Sequence, residues 1–123
     1  MKNLLFALIL LSCSSKRDDP SPNPLIGNWR YIGGFNENCI NPVNNSTLKA
    51  SSSVQLYSFT EKEFTFSGNG YAYSGTYTIK GDSILIPALQ NFGLDKRTFK
   101  VKDNDLYLIY LSSGCAVNNV YKK

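Results

Sequence analysis

The sequence predicts an all-β domain built as a small eight-stranded up-and-down antiparallel β-barrel. Three observations lead there. After Leu25, apolar side chains recur at every second position, and no segment repeats with the period of a helix. The alternating runs are short and separated by turns rich in Gly, Asn, Asp and Ser. Their number and hairpin spacing fit a closed meander better than a sandwich.

The runs follow one another along the chain. Strands are expected over 27–34, 53–59, 63–67, 71–80, 83–86, 97–102, 105–111 and 115–122. Alternation is clearest in Phe64/Phe66, Tyr73/Tyr77/Ile79, Phe99/Val101 and Leu106/Leu108/Tyr110, which are assigned to the barrel interior. Between them, Thr65, Thr76, Thr78, Lys100 and Lys102 suit a solvated face. The seventh run is apolar on both faces, because Tyr107, Ile109 and Leu111 fill its outer positions. Gly68-Asn69-Gly70, Gly81-Asp82, Asp103-Asn104 and Ser112-Ser113-Gly114 supply the turn residues that tight hairpins need. Gly75, inside the fourth run, is where a barrel strand can bend. The 36–52 connection is long and rich in Asn and Ser, and loops of that length often carry function. It contains two overlapping Asn-x-Ser/Thr matches, at Asn44 and Asn45, which are read only as part of a polar loop.

Composition excludes several classes of chemistry. Histidine is absent, so the usual general base and metal ligand are missing. The carboxylates fall mostly in expected turns, and no pair is directed into a cleft as acid–base hydrolysis requires. There is no phosphate-binding glycine loop and no Cys-x-x-Cys pair. The chain is expected to be no enzyme and to need no cofactor or metal. It carries 13 basic and 9 acidic side chains, a net charge of +4, with no basic run. That balance serves solubility rather than nucleic-acid binding. A monomer is expected.

The first 24 residues are set apart from the domain. Lys2 precedes an unbroken apolar stretch over 4–11, far short of the ~20 residues a membrane-spanning helix needs. The string Leu10-Leu11-Ser12-Cys13 that closes it resembles the lipobox of bacterial lipoproteins. The resemblance implies a signal peptide over 1–12, cleavage before Cys13 and acylation of Cys13 with membrane-holding chains such as palmitate. Residues 13–24 are polar and proline-rich, and read as a tether. Extended at ~3.1 Å per residue, it holds the domain about 30 Å from the membrane. Lys16-Arg17-Asp18-Asp19 resembles a surface-export signal of some Gram-negative bacteria, a solvated linker being the alternative. The expected location is the bacterial cell envelope, lipid-anchored to the outer membrane and either periplasmic or surface-exposed. With Cys13 acylated, Cys39 and Cys115 are left to pair, two buried free thiols being the alternative. The loop closed would be ~77 residues, worth roughly 4.5 kcal/mol in the chain-entropy account. In an up-and-down barrel both cysteines reach the same rim, because the last strand pairs with the first.

Residues 25–123 carry a family resemblance. Gly27-Asn28-Trp29 opens the first strand and is similar to the Gly-x-Trp signature of lipocalins. The series Leu25 to Trp29, Gly75-Thr76-Tyr77 and Asp105-Leu106-Tyr107-Leu108 resembles short lipocalin-like domains of bacterial lipoproteins. Two features depart from lipocalins: the turn Lys102-Asp103-Asn104-Asp105, and Lys122-Lys123 where an arginine covers the tryptophan. The resemblance implies a barrel open at one end, with Gly27 and Trp29 as its structural signature. An eight-stranded barrel is just wide enough to be filled by side chains or to hold one small ligand. Two functions follow as expectations. In the first, Val54, Phe66, Tyr73, Phe99 and Tyr110 line a mouth that binds a small apolar or amphipathic ligand and faces away from the membrane. In the second, the core is solid and a protein partner docks on the 36–52 and 87–95 loops through Leu89, Phe92 and Leu94.

Overall fold

The structure, a computed structural model, describes residues 23–123. The leader, Cys13 and nearly all of the tether lie outside the described residues.

Ten strand segments make one antiparallel sheet: β1 (Gly27–Glu37), β2 (Lys49–Ala50), β3 (Gln55–Phe59), β4 (Glu63–Gly68), β5 (Tyr71–Thr76), β6 (Thr78–Lys80), β7 (Ser83–Leu85), β8 (Lys96–Lys102), β9 (Asp105–Ser112) and β10 (Cys115–Lys122). Their order is β5-β4-β3-β1-β10-β9-β8-β7-β6, with β2 on β1. β5 and β6 are the two halves of the strand expected over 71–80. The first half pairs with β4 and the second with β7, so the order returns to its starting point. Taking that split strand once, and setting β2 aside, the sheet is the expected eight-stranded meander, nearly closed as a barrel. The last strand zips onto the first from Arg30↔Lys122 to Glu37↔Ala116.

Hairpin chemistry explains most of the connections. Asn69 and Gly70 sit at φ 51° and 81°, Asp103 and Asn104 at 52° and 67°, Ser113 and Gly114 at 51° and 77°. Two successive positive φ values define the tight turn whose twist matches the strands it joins. Three of these hairpins therefore close with two residues, which fixes which side chains face inward.

The split in the fourth strand falls at Tyr77, two residues beyond Gly75. Tyr77 turns its ring into the barrel and is buried. Its backbone N–H bonds to the Lys62 carbonyl at 3.0 Å. Its hydroxyl donates to the Thr60 carbonyl and accepts from Asn23 Nδ2 at 2.7 Å. A side chain anchored at both ends holds the break in place. Gly75 makes room for close packing: a Cβ there would stand 3.2 Å from Ala88 Cβ. Ala88 belongs to a 3₁₀ helix, Pro87–Phe92, inside the expected 87–95 loop. That helix packs on β5, which has only β4 as a strand partner.

The 36–52 connection is less open than its composition implies. β1 runs on to Glu37, and β2 folds back onto Gly33 and Gly34. Gly33, at φ 149°, is where that return becomes possible, because a Cβ would run into the Lys49 carbonyl. Asn and Ser side chains then satisfy the loop's own backbone. Asn45 Oδ1 accepts from Cys39 N–H at 3.0 Å, Ser46 Oγ from Asn36 N–H at 3.0 Å, and Asn41 Oδ1 from Val43 N–H at 3.2 Å. The Cys39–Cys115 disulfide ties this loop to the start of β10. The pairing and the rim are those expected.

The core fills the end of the barrel where the tether enters. Leu25, Trp29, Phe59, Phe64, Tyr77, Leu106 and Leu108 are buried there. The Trp29 indole N–H donates to the Leu25 carbonyl at 2.8 Å, and Lys123 Nζ lies 5.4 Å from the indole centre. Lysine thus covers the tryptophan from outside, as a cation over a ring face. Ile79 departs from expectation. It pairs with fully buried Ile84 but is itself 37% exposed, because β6 has no strand beyond it.

Candidate functional site

At the opposite end the interior is not filled. A half-open cavity of about 390 Å³ lies under the 69–70 turn and the 87–95 segment. Aromatic rings make one wall. Tyr121 and Tyr57 meet edge-on at 5.3 Å, Tyr57 and Phe66 are 4.8 Å apart, Phe66 and Tyr73 stack at 6.1 Å, and Tyr73 meets Phe92 at 5.1 Å. Each step has the offset or edge geometry that aromatic pairs favour. The rings come from β10, β3, β4, β5 and the 3₁₀ helix, so the ladder spans the gap beside β5.

The far wall holds a charge. Arg97 follows the inward parity of Phe99 and Val101 on β8 and is only 6% exposed. Its Nε is sealed from solvent and has no hydrogen-bond partner among the described residues. None of the side chains lining the cavity is acidic. Tyr57 and Tyr121 flank the guanidinium. Burial pushes both phenols above their ordinary range, and the nearby arginine offsets part of that rise. Tyr121 is lifted by the neighbouring Tyr57 as well as by burial. On its other side Arg97 lies 5.7 Å from the Tyr110 ring centre.

The sequence-expected mouth residues separate into four groups. Phe66 and Tyr73 line the cavity. Phe99 packs against the core, and Tyr110 lines a second concavity on the other side of Arg97 with Lys96 and Ile109. Val54 is a correction: it is 61% exposed and outside the cavity wall. On β3 the odd positions face inward, as buried Tyr57 and Phe59 show, so Gln55 takes the slot assigned to Val54. The 87–95 anchors also need correcting. Leu89 is 3% exposed and Leu94 packs against the core; both turn inward and line the cavity, and only Phe92, at 53%, stays open to solvent. The 3₁₀ helix is the reason, since it lays one face on β5.

Sequence reasoning missed Arg97, Tyr57 and Tyr121. Arg97 was legible: it shares parity with Phe99 and Val101 two and four positions on, and a charge on an inward register is rare. Tyr57 was legible in the same way through Phe59. Among the described residues no group of three or more acidic or cysteine side chains converges, and no helix is long and apolar enough to cross a membrane. No family model, curated protein or solved structure matches the chain.

Proposed function

We propose that the protein is an envelope lipoprotein, anchored through acylated Cys13, that holds a small amphipathic ligand in the open half of a lipocalin-like barrel. The observation that carries this reading is the 390 Å³ cavity. It falls in the size range of small-molecule sites and has their make-up, a mostly apolar wall with a few polar groups. The short lipocalin-like domains that the Gly27-Asn28-Trp29 opening resembles are built to hold ligands in such a mouth. The cavity lies at the end opposite Asn23, so a tether leaving Asn23 for a membrane leaves the mouth facing outward. Cys39–Cys115 closes the rim beside it.

The test is equilibrium titration of the 13–123 chain, carrying Cys13→Ser, with an environment-sensitive apolar fluorophore. One saturable site is expected, abolished by Phe66→Glu and unaffected by Leu111→Glu on the exposed outer face. Non-saturable binding, or equal loss in both variants, overturns the ligand reading. Anchoring is checked separately by the mass of the mature protein from its native envelope, in which Cys13→Ser removes the acyl mass.

A second reading, docking of a protein partner at the rim, is favoured by one observation. Ile40 and Val43 in the 36–52 loop are 88% and 82% exposed. In that case Ile40→Asp abolishes capture of the partner while fluorophore binding persists.

A further inference from the structure

We infer that the ligand carries a carboxylate, which Arg97 receives from inside the cavity. The inference rests on the ligand-binding reading above and narrows it to anionic amphiphiles.

A guanidinium buried in a barrel interior is costly unless a partner balances it. Here the described residues provide none. The cavity wall contains no acidic side chain, and the concavity on the other side of Arg97 contains none either. The polar groups beside it are neutral: the Tyr57 and Tyr121 phenols, Gln55 and Asn119. Neutral phenols can donate to an anion but cannot cancel a cation. A buried guanidinium that lines an apolar chamber beside neutral phenols, with no anion facing it, is complementary to a carboxylate joined to an apolar body. The aromatic ladder from Tyr57 to Phe92 gives that body its surface. A neutral amphiphile would leave the charge unbalanced, and a cationic one would be repelled.

The raised phenols of Tyr57 and Tyr121 agree with this geometry, since they remain protonated donors at neutral pH. Both then act with Arg97 as positioning groups for the head.

The experiment compares decanoate with decanol at neutral pH by isothermal titration calorimetry on the 13–123 chain with Cys13→Ser. The two share an apolar chain and differ in the charged head. Decanoate is expected to bind at least tenfold more tightly, and Arg97→Gln to erase that advantage. Wild-type protein supplies a second readout that needs no variant. The Arg97 guanidinium resonances should shift on addition of decanoate and stay in place with decanol. Equal affinity of the two probes, or a preference that survives Arg97→Gln, overturns the carboxylate assignment and leaves the binding cavity standing. Failure of both probes to bind removes the cavity reading together with it. Should Arg97→Gln fail to fold, the decanoate-specific shift of the Arg97 guanidinium decides the matter by itself.

Discussion

The two ends of the barrel are built from the same alternation and the same residue types, yet one is solid and the other hollow. At the tether end, Trp29, Phe59, Phe64 and Tyr77 are buried, and the indole N–H and the Tyr77 hydroxyl both find partners. At the mouth, Phe66 and Tyr73 are only partly buried, Tyr71 is 63% exposed, and Arg97 Nε is unpartnered. The difference lies in how the ring closes. Near the tether, Tyr77 is bonded to Lys62 and Thr60 and draws the split strand inward. Toward the mouth, β5 has a strand on one side and a 3₁₀ helix on the other. A helix cannot continue the ladder, so the wall stands away from the centre and leaves room. Inward parity therefore says which side chains face the interior, and closure decides whether they meet.

Substitutions can break that comparison at both ends. The largest effect is expected for Phe64→Ala, where a filled core loses a ring: about 3–5 kcal/mol, read from urea denaturation. Phe66→Ala, two residues along the same strand, opens onto existing space and should cost about 1–2 kcal/mol, near the centre of the distribution for single substitutions. Equal losses would mean the two halves are packed alike. Next in size is the Cys39→Ser/Cys115→Ser double variant, expected to lose about 2–4 kcal/mol by the same measurement, with the 36–52 amides becoming fast in hydrogen exchange. Arg97→Met should go the other way. Replacing a buried unpaired charge by an apolar side chain of similar length is expected to raise stability by about 1 kcal/mol in the absence of ligand, seen as a higher Tm. The smallest effect at neutral pH comes from the phenols. Tyr57, Tyr77 and Tyr121 are raised by burial, so the folded state holds their protons more tightly than the unfolded state does. Stability should be flat below about pH 10, the ordinary tyrosine value, and fall above it. Ultraviolet titration should then show Tyr57, Tyr77 and Tyr121 ionising above the ordinary tyrosine range.

Much of this was legible in the chain. The seam between the last and first strands follows from counting hairpins, and the disulfide follows from the seam. The two-residue turns are written in Asn69-Gly70, Asp103-Asn104 and Ser113-Gly114. Elements that depend on non-local contacts were harder to read. Nothing in Thr76-Tyr77-Thr78 marks a break, because it is made by Lys62 and Thr60 from another hairpin. β2 depends on Gly33 permitting a close approach 16 residues from Lys49. The inward turn of Leu89 and Leu94 depends on a 3₁₀ helix too short to have a periodic signature. Val54 was misassigned for a local reason: it precedes the strand, and Tyr57 and Phe59 fix the parity from the other end.

The Cys39–Cys115 bond has a further consequence for how the barrel shuts. It stands immediately beyond Glu37↔Ala116, the last rung of the ladder joining the first strand to the last. That seam unites segments far apart in the chain and is costly to assemble. A slip of one residue by the last strand would send Tyr121 out to solvent and bring its outward neighbours in. A covalent clasp at the end of the ladder forbids such a slip, and it denies the terminal strand the freedom to leave its own barrel and complete a neighbour's.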